Sequence, residues 1–143
     1  MPHTYKKQGI HFLYPDNWTV DEGDAVEGGA AVTVYSPGGS FWSIVLEPRS
    51  VDPAEMAVAA LKALKAEYQD CDAEPMSETL AGHELRGYDA NFFCFDLTST
   101  AAIRGFRTNE LSCLVLWQAE DRDLKEHEPV FRAMITSLLN NDV

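Results

Sequence analysis

The 143-residue chain predicts an α+β fold, an antiparallel β-sheet flanked by helices on both faces in an α/β/α sandwich. Three observations predict it. Between His83 and Gln118 lie three runs, Gly87 to Leu97, Ala101 to Thr108 and Leu111 to Gln118, each short and rich in Phe, Val, Ile and Trp, which favour strands over helix. Both parities of these runs are apolar: Phe93, Phe95 and Leu97 against Phe92 and Cys94, and Leu114 and Leu116 against Cys113, Val115 and Trp117. A strand apolar on both sides needs two covers, and two amphipathic segments near Pro53 and Pro129 supply them.

Taken in order, Ile10 to Tyr14 reads as a short strand that ends at Pro15-Asp16-Asn17, where proline presets the backbone and Asp and Asn bond their own main chain. Trp18 to Val20 resumes an extended path. The acidic stretch Asp21 to Gly29 predicts an exposed loop. Ala30 to Ser36 and Phe41 to Glu47 form a hairpin across Pro37-Gly38-Gly39-Ser40. A two-residue turn at Gly38-Gly39 would set Tyr35 opposite Trp42, Thr33 opposite Ile44 and Val32 opposite Val45.

Asp52 and Pro53 then open a helix, the carboxylate capping free amides and Glu55 completing a capping-box-like pair. It runs to about Tyr68, with Ala57, Leu61, Leu64 and Tyr68 in one stripe. Asp70 to Leu80 alternates acidic and apolar residues around Pro75, which predicts an edge strand with a break. Ala81-Gly82 turns the chain into the three-strand meander. A charged segment from Ala119 to Glu126 follows, then a helix starting at Pro129 with Val130, Phe131, Met134, Ile135, Leu138 and Leu139 at helical spacing.

Length favours one domain over residues 1–143, since a chain of this size buries roughly two thirds of its unfolded surface. No apolar run approaches the ~18 residues of a membrane span, which argues against membrane insertion. The net charge of −12 repels phosphate backbones and anionic lipid, so nucleic acid is not an expected partner. Three widely spaced cysteines, Cys71, Cys94 and Cys113, fit buried thiols in a reducing, cytoplasmic setting.

The segment Gly9-Ile10-His11-Phe12-Leu13-Tyr14-Pro15-Asp16-Asn17-Trp18, the turn Leu80-Ala81-Gly82 and the ending Phe131 to Leu138 with Ser137 resemble the PsbP/Mog-like superfamily. Its members include PsbP-type subunits, a Ran-binding nuclear protein, DcrB-type lipoproteins and Eag-type chaperones of type VI secretion. The resemblance implies an antiparallel sheet between helices, binding of other proteins, no shared reaction and no catalytic residues. Within the resemblance the chain is expected to differ from the lipoprotein members in a leader and lipidation Cys, and from PsbP in a plastid transit segment, none of which is read in residues 1–143.

For chemistry, His3, His11, His83 and His127 are scattered without ligand spacing, which gives no expected metal or cofactor. Cys94 and Cys113 lie among large apolar residues, where burial raises a thiol pKa and suppresses nucleophilicity. The glycines at 28–29 and 38–39 lack the Lys-Ser/Thr of a phosphate loop. Two features stand out as candidate binding elements. One is acidic density, with Glu22 and Asp24 in the first loop and Glu120 to Glu128 before the last helix, able to steer a basic partner. The other is the aromatic pair Tyr35 and Trp42 beside the hairpin turn.

The function these features favour is a non-enzymatic module or adaptor that binds a protein partner. Three alternatives stand beside it: a secretion-type chaperone for apolar helices of a client, a small-molecule binder or enzyme using a sheet-helix pocket, and a homodimer built through an open sheet edge.

Overall fold

The computed structural model describes residues 1–24 and 30–142. Strands β1 (His3–Lys7) and β2 (Ile10–Tyr14) form a separate two-stranded sheet. Seven more strands, β3 (Thr19–Asp24), β4 (Ala30–Tyr35), β5 (Phe41–Pro48), β6 (Asp72–Leu80), β7 (His83–Cys94), β8 (Leu97–Arg107) and β9 (Leu111–Glu120), make one antiparallel sheet in the order β3-β4-β5-β9-β8-β7-β6. Helix α1 (Pro53–Glu67) separates β5 from β6, and α2 (Asp121–Asn140) ends the fold.

The expected meander is present as β7-β8-β9, but its first turn falls inside what reads as one run. Phe95 and Asp96, both in the left-handed region at φ 51° and 64°, join Cys94 to its partner Leu97. Ala81 and Gly82 turn β6 into β7 in the same way, at φ 48° and 79°. Strand β6 is the edge strand, and it passes through Pro75 without the expected break. An edge strand has alternate N–H groups facing outward, so a proline at such a position removes no ladder bond.

The β4–β5 register differs by one residue from expectation. Tyr35 stands opposite Phe41, Val34 opposite Trp42, Thr33 opposite Ser43 and Val32 opposite Ile44. The loop has three residues, with Gly39 N donating to Ser36 O at 3.1 Å and Gly39 itself at φ +99°. Pro37 decides this. It suits the second position of a type I turn, whereas a two-residue turn would place it, without an N–H, in the flanking pair.

Two further expectations are corrected and one strand is added. Asp21 to Asp24 are not loop but the backbone of β3, paired along β4 from Thr19↔Tyr35 to Asp24↔Ala30; Glu27, Gly28 and Gly29 lie outside the described residues. The segment before Gly9 forms β1, returning through Gln8 and Gly9 at φ 58° and 85°. The last helix begins at Asp121, and Pro129 sits within it. Asp121 and Asp123 in its first turn complement the positive end of the helix dipole. Leu124 extends the apolar stripe about two turns back, and Pro129 is on the exposed side, where the carbonyl it leaves free faces solvent.

Helix α1 keeps its expected start and cap, though Glu55 makes no reciprocal capping bond among the described residues. Asp52 Oδ1 accepts from Ala54 N at 2.9 Å, Pro53 follows at the first helical position, and Tyr68 closes the end with its N–H on Leu64 O. Ala57 and Leu64 are buried with Ala90, Phe92, Ala101, Ile103 and Leu114, and Leu61, Tyr68 and Leu116 pack around them. A second, larger cluster joins Phe131, Met134, Ile135, Leu138 and Leu139 of α2 to Phe12, Trp42, Ile44, Cys113, Val115 and Trp117. Along β9 the residues therefore alternate between clusters, Cys113, Val115 and Trp117 in one and Leu114 and Leu116 in the other. Each large side chain so buried contributes roughly 1.5–3 kcal/mol.

Candidate functional site

The structure separates the residues that the sequence singles out. Trp42 is fully buried, 4.8 Å from the Phe12 ring, with its Nε1 lacking a partner among the described residues. It is a core residue and cannot meet a partner. The one-residue register difference also puts Tyr35 on the opposite side of the hairpin from Trp42, where it is 40% exposed beside Phe41, ring centroids 6.1 Å apart. Glu22 lies across from buried Val32, accepts from Tyr5 Oη at 2.9 Å and meets Lys7 Nζ at 3.4 Å, so it ties the N-terminal hairpin to β3. Asp24 ends β3, and its side chain lies outside the described residues.

A different surface gathers unpartnered groups. At the β7–β8 tip Phe93 is 56% exposed, Phe95 95% and Leu97 38%. A bulky side chain in the left-handed region costs about 1–2 kcal/mol, and here that conformation turns the Phe95 ring outward. Between this tip and the end of α1 opens a cleft of about 620 Å³, lined by Glu67, Tyr68, Gln69, Asp70 and residues 93–96. Tyr68 forms its floor, stacked on Phe92 at 4.3 Å and held by Gln118 Nε2, which donates to its hydroxyl at 3.3 Å. Burial pushes the Tyr68 phenol above its ordinary pKa, while the Gln118 bond pulls the other way. Cys94 lines the cleft and is half-buried, not sealed as its sequence context suggests. The signal for this surface was present in Phe93, Phe95 and Leu97, but reading them as one strand hid the turn.

Farther along the same two strands sits a charged cluster with no sequence signature. Arg104 is fully buried. Its Nε donates to Glu78 at 3.3 Å, one terminal nitrogen to the carbonyls of Tyr88 and Ile103 at 3.1 Å each, and the other to Asp89 at 2.8 Å. Arg132 of α2 reaches the same Glu78 at 3.0 Å, and both guanidiniums lie over Trp117, at 5.8 and 5.5 Å from the ring centroid. With its partners supplied from within, this cluster binds α2 to β6, β7 and β8.

The remaining nucleophile candidates are enclosed. Burial first, and Asp142 second, push the Cys113 thiol up to about 12, which leaves it protonated and inert at neutral pH. His127 Nδ1 lies 2.8 Å from Ser40 Oγ, but Ser40 is only 4% exposed and Trp18 covers the imidazole edge-on at 5.4 Å. That pair fastens α2 to the β4–β5 turn. His83 bonds Asp142 at 3.2 Å, His3 packs edge-on against Tyr14, and the four histidines stay apart. Among the described residues no group of three or more His, Cys, Asp or Glu is placed to hold a metal. No described helix is long and apolar enough to cross a membrane.

No family model matches the chain, and no curated protein matches it. Solved structures do. Cyanobacterial PsbP from Synechocystis sp. PCC 6803 is similar at a TM-score of 0.66 and 14% identity, over 95% of this chain and 90% of that one. A Bacteroides thetaiotaomicron structure is similar at 0.59 and 11% identity, over 90% of this chain but 44% of that one. A Pseudomonas aeruginosa protein of unknown function is similar at 0.51 and 14% identity, over 96% and 95%.

Proposed function

From the premise of a PsbP-like fold, we propose that the chain is a non-enzymatic protein-binding module whose contact surface is the β7–β8 tip with the cleft beside the end of α1. One observation carries the reading: Phe95 stays 95% exposed on a turn whose left-handed backbone costs energy to hold, and Phe93 and Leu97, on opposite faces of the strands flanking it, stay 56% and 38% exposed. Aromatic side chains anchor protein interfaces out of proportion to their number, and a hairpin tip on a rigid sheet offers them without further ordering cost. Three free cysteines fit work in a reducing compartment. In the same reading the seven-stranded sheet is the middle layer of a sandwich, with α1 over one face and α2 with the β1–β2 hairpin over the other. The division of Leu114 and Leu116 from Cys113, Val115 and Trp117 supports that arrangement.

The test is affinity capture with the wild-type chain beside Phe95→Asn and Tyr35→Ala. A partner retained by the wild type and by Tyr35→Ala but lost with Phe95→Asn is the expected result. Retention that depends on Tyr35 alone would move the contact to the β4–β5 hairpin, and retention indifferent to both would end the proposal.

A further inference from the structure

Building on that reading, we infer that the tip and its cleft take a cationic segment of a partner protein, one that carries Lys or Arg beside apolar side chains. The cleft wall holds three carboxylates, Glu67, Asp70 and Asp96, and no Lys, Arg or His among its described lining residues. None of the three carboxylates joins an ion pair among the described residues, whereas Glu78 of β6 and Asp89 of β7 both meet arginines. The other clefts differ in kind. That of about 560 Å³ beside the β1–β2 turn sets Lys6 and Lys7 against Glu110 and Asp142, and that of about 390 Å³ beside the start of α1 carries Arg86 and no carboxylate. Only the tip cleft among these three joins unpaired negative charge to exposed rings.

That combination selects by chemistry. The apolar side chains of a segment cover Phe93 and Phe95, while its cations meet the carboxylates and the ring faces. The chain's net charge of −12 draws such a segment in and repels anionic ones. A second copy of this chain suits the surface less, because a two-fold contact at the tip would set Asp96 against its own counterpart.

The experiment uses the full chain with Cys71→Ser, leaving half-buried Cys94 as a thiol probe inside the cleft and Cys113 sealed. Synthetic peptides of Lys, Leu and Phe are compared with counterparts in which Glu or Ser replaces Lys. The Lys peptide is expected to slow Cys94 labelling and to lose affinity about tenfold on raising salt from low to physiological strength or on charge reversal by Asp70→Lys with Asp96→Lys. Phe95→Asn should weaken it about tenfold as well, with no loss of thermal stability. Equal protection by the Glu or Ser peptides, or none by the Lys peptide, overturns the inference, and a Phe95-dependent partner in the capture assay would then still uphold the binding module. Protection of Cys94 that grows with protein concentration alone, without peptide, overturns it in favour of a self-contact.

Discussion

Strands β7 and β8 carry a fully buried arginine in one half and three exposed apolar side chains at the other end, the reverse of what each residue type prefers. The two inversions are resolved differently. Arg104 finds two carboxylates, two carbonyls and an aromatic face inside the chain. Phe93, Phe95 and Leu97 find no such cover, and Glu67, Asp70 and Asp96 beside them find no cation among the described residues. The inner half is a finished structure and the tip an unfinished one. A contact completed within the fold belongs to stability, and a contact left open points outward to a partner.

The sharpest way to break this contrast is at the inner half. Arg104→Ala should cost about 3–5 kcal/mol in urea unfolding, because Glu78, Asp89 and the Tyr88 carbonyl lose a buried donor, and Arg104→Met, which keeps most of the volume but removes the same donor, should cost nearly as much. A clearly smaller loss for Arg104→Met would mean that packing, and not the donated hydrogen bonds, holds the cluster. Gly87→Ala comes next, at about 1–3 kcal/mol, since a Cβ there would stand 1.8 Å from the Ile103 carbonyl oxygen across the ladder.

Alkaline pH probes the sealed region through Cys113. Its folded state holds the thiol proton more tightly than the unfolded chain, so that stability is complete below about 9 and drains away as pH climbs toward about 12. Unfolding curves of Cys113→Ala should therefore fall less steeply over this window. At the tip the sign reverses. Phe95→Asn should raise stability by about 1 kcal/mol, because Asn tolerates the left-handed backbone better and the ring it replaces is 95% exposed. A loss on that substitution would show that Phe95 packs within its own chain, and the contrast between the two halves would dissolve.

The elements with local chemical signatures were legible in the residues. Asp52-Pro53 announced α1, Ala81-Gly82 the turn into β7, and the alternation from Cys113 to Trp117 the division of β9 between two clusters. What misled were features that long-range packing decides. Pro129 reads as a start, yet α2 begins at Asp121 because Leu124 joins the core and the proline faces water. Phe95-Asp96 carries no glycine, so nothing local marks it as a turn. Of the expected binding residues, Tyr35 and Glu22 lie on opposite sides of the sheet, and Trp42 falls in the core after a one-residue change of register. Arg104 could not be read at all, for its partners come from β6, β7 and β9.

The small β1–β2 sheet shares no ladder with the seven-stranded one; beside the bonds of Tyr5 and Lys7 to Glu22 it leans on the α2 end, where Leu13 N donates to Ser137 Oγ and Asn141 Nδ2 to the His11 carbonyl. During synthesis the first strands made must therefore wait for the last turn of helix before their aromatic face, with Tyr5 and Phe12, can be covered. A chain cut short of Ser137 would leave that face and the Trp42 beneath it less covered, so loss of the last turn of α2 is expected to expose the aromatic hairpin.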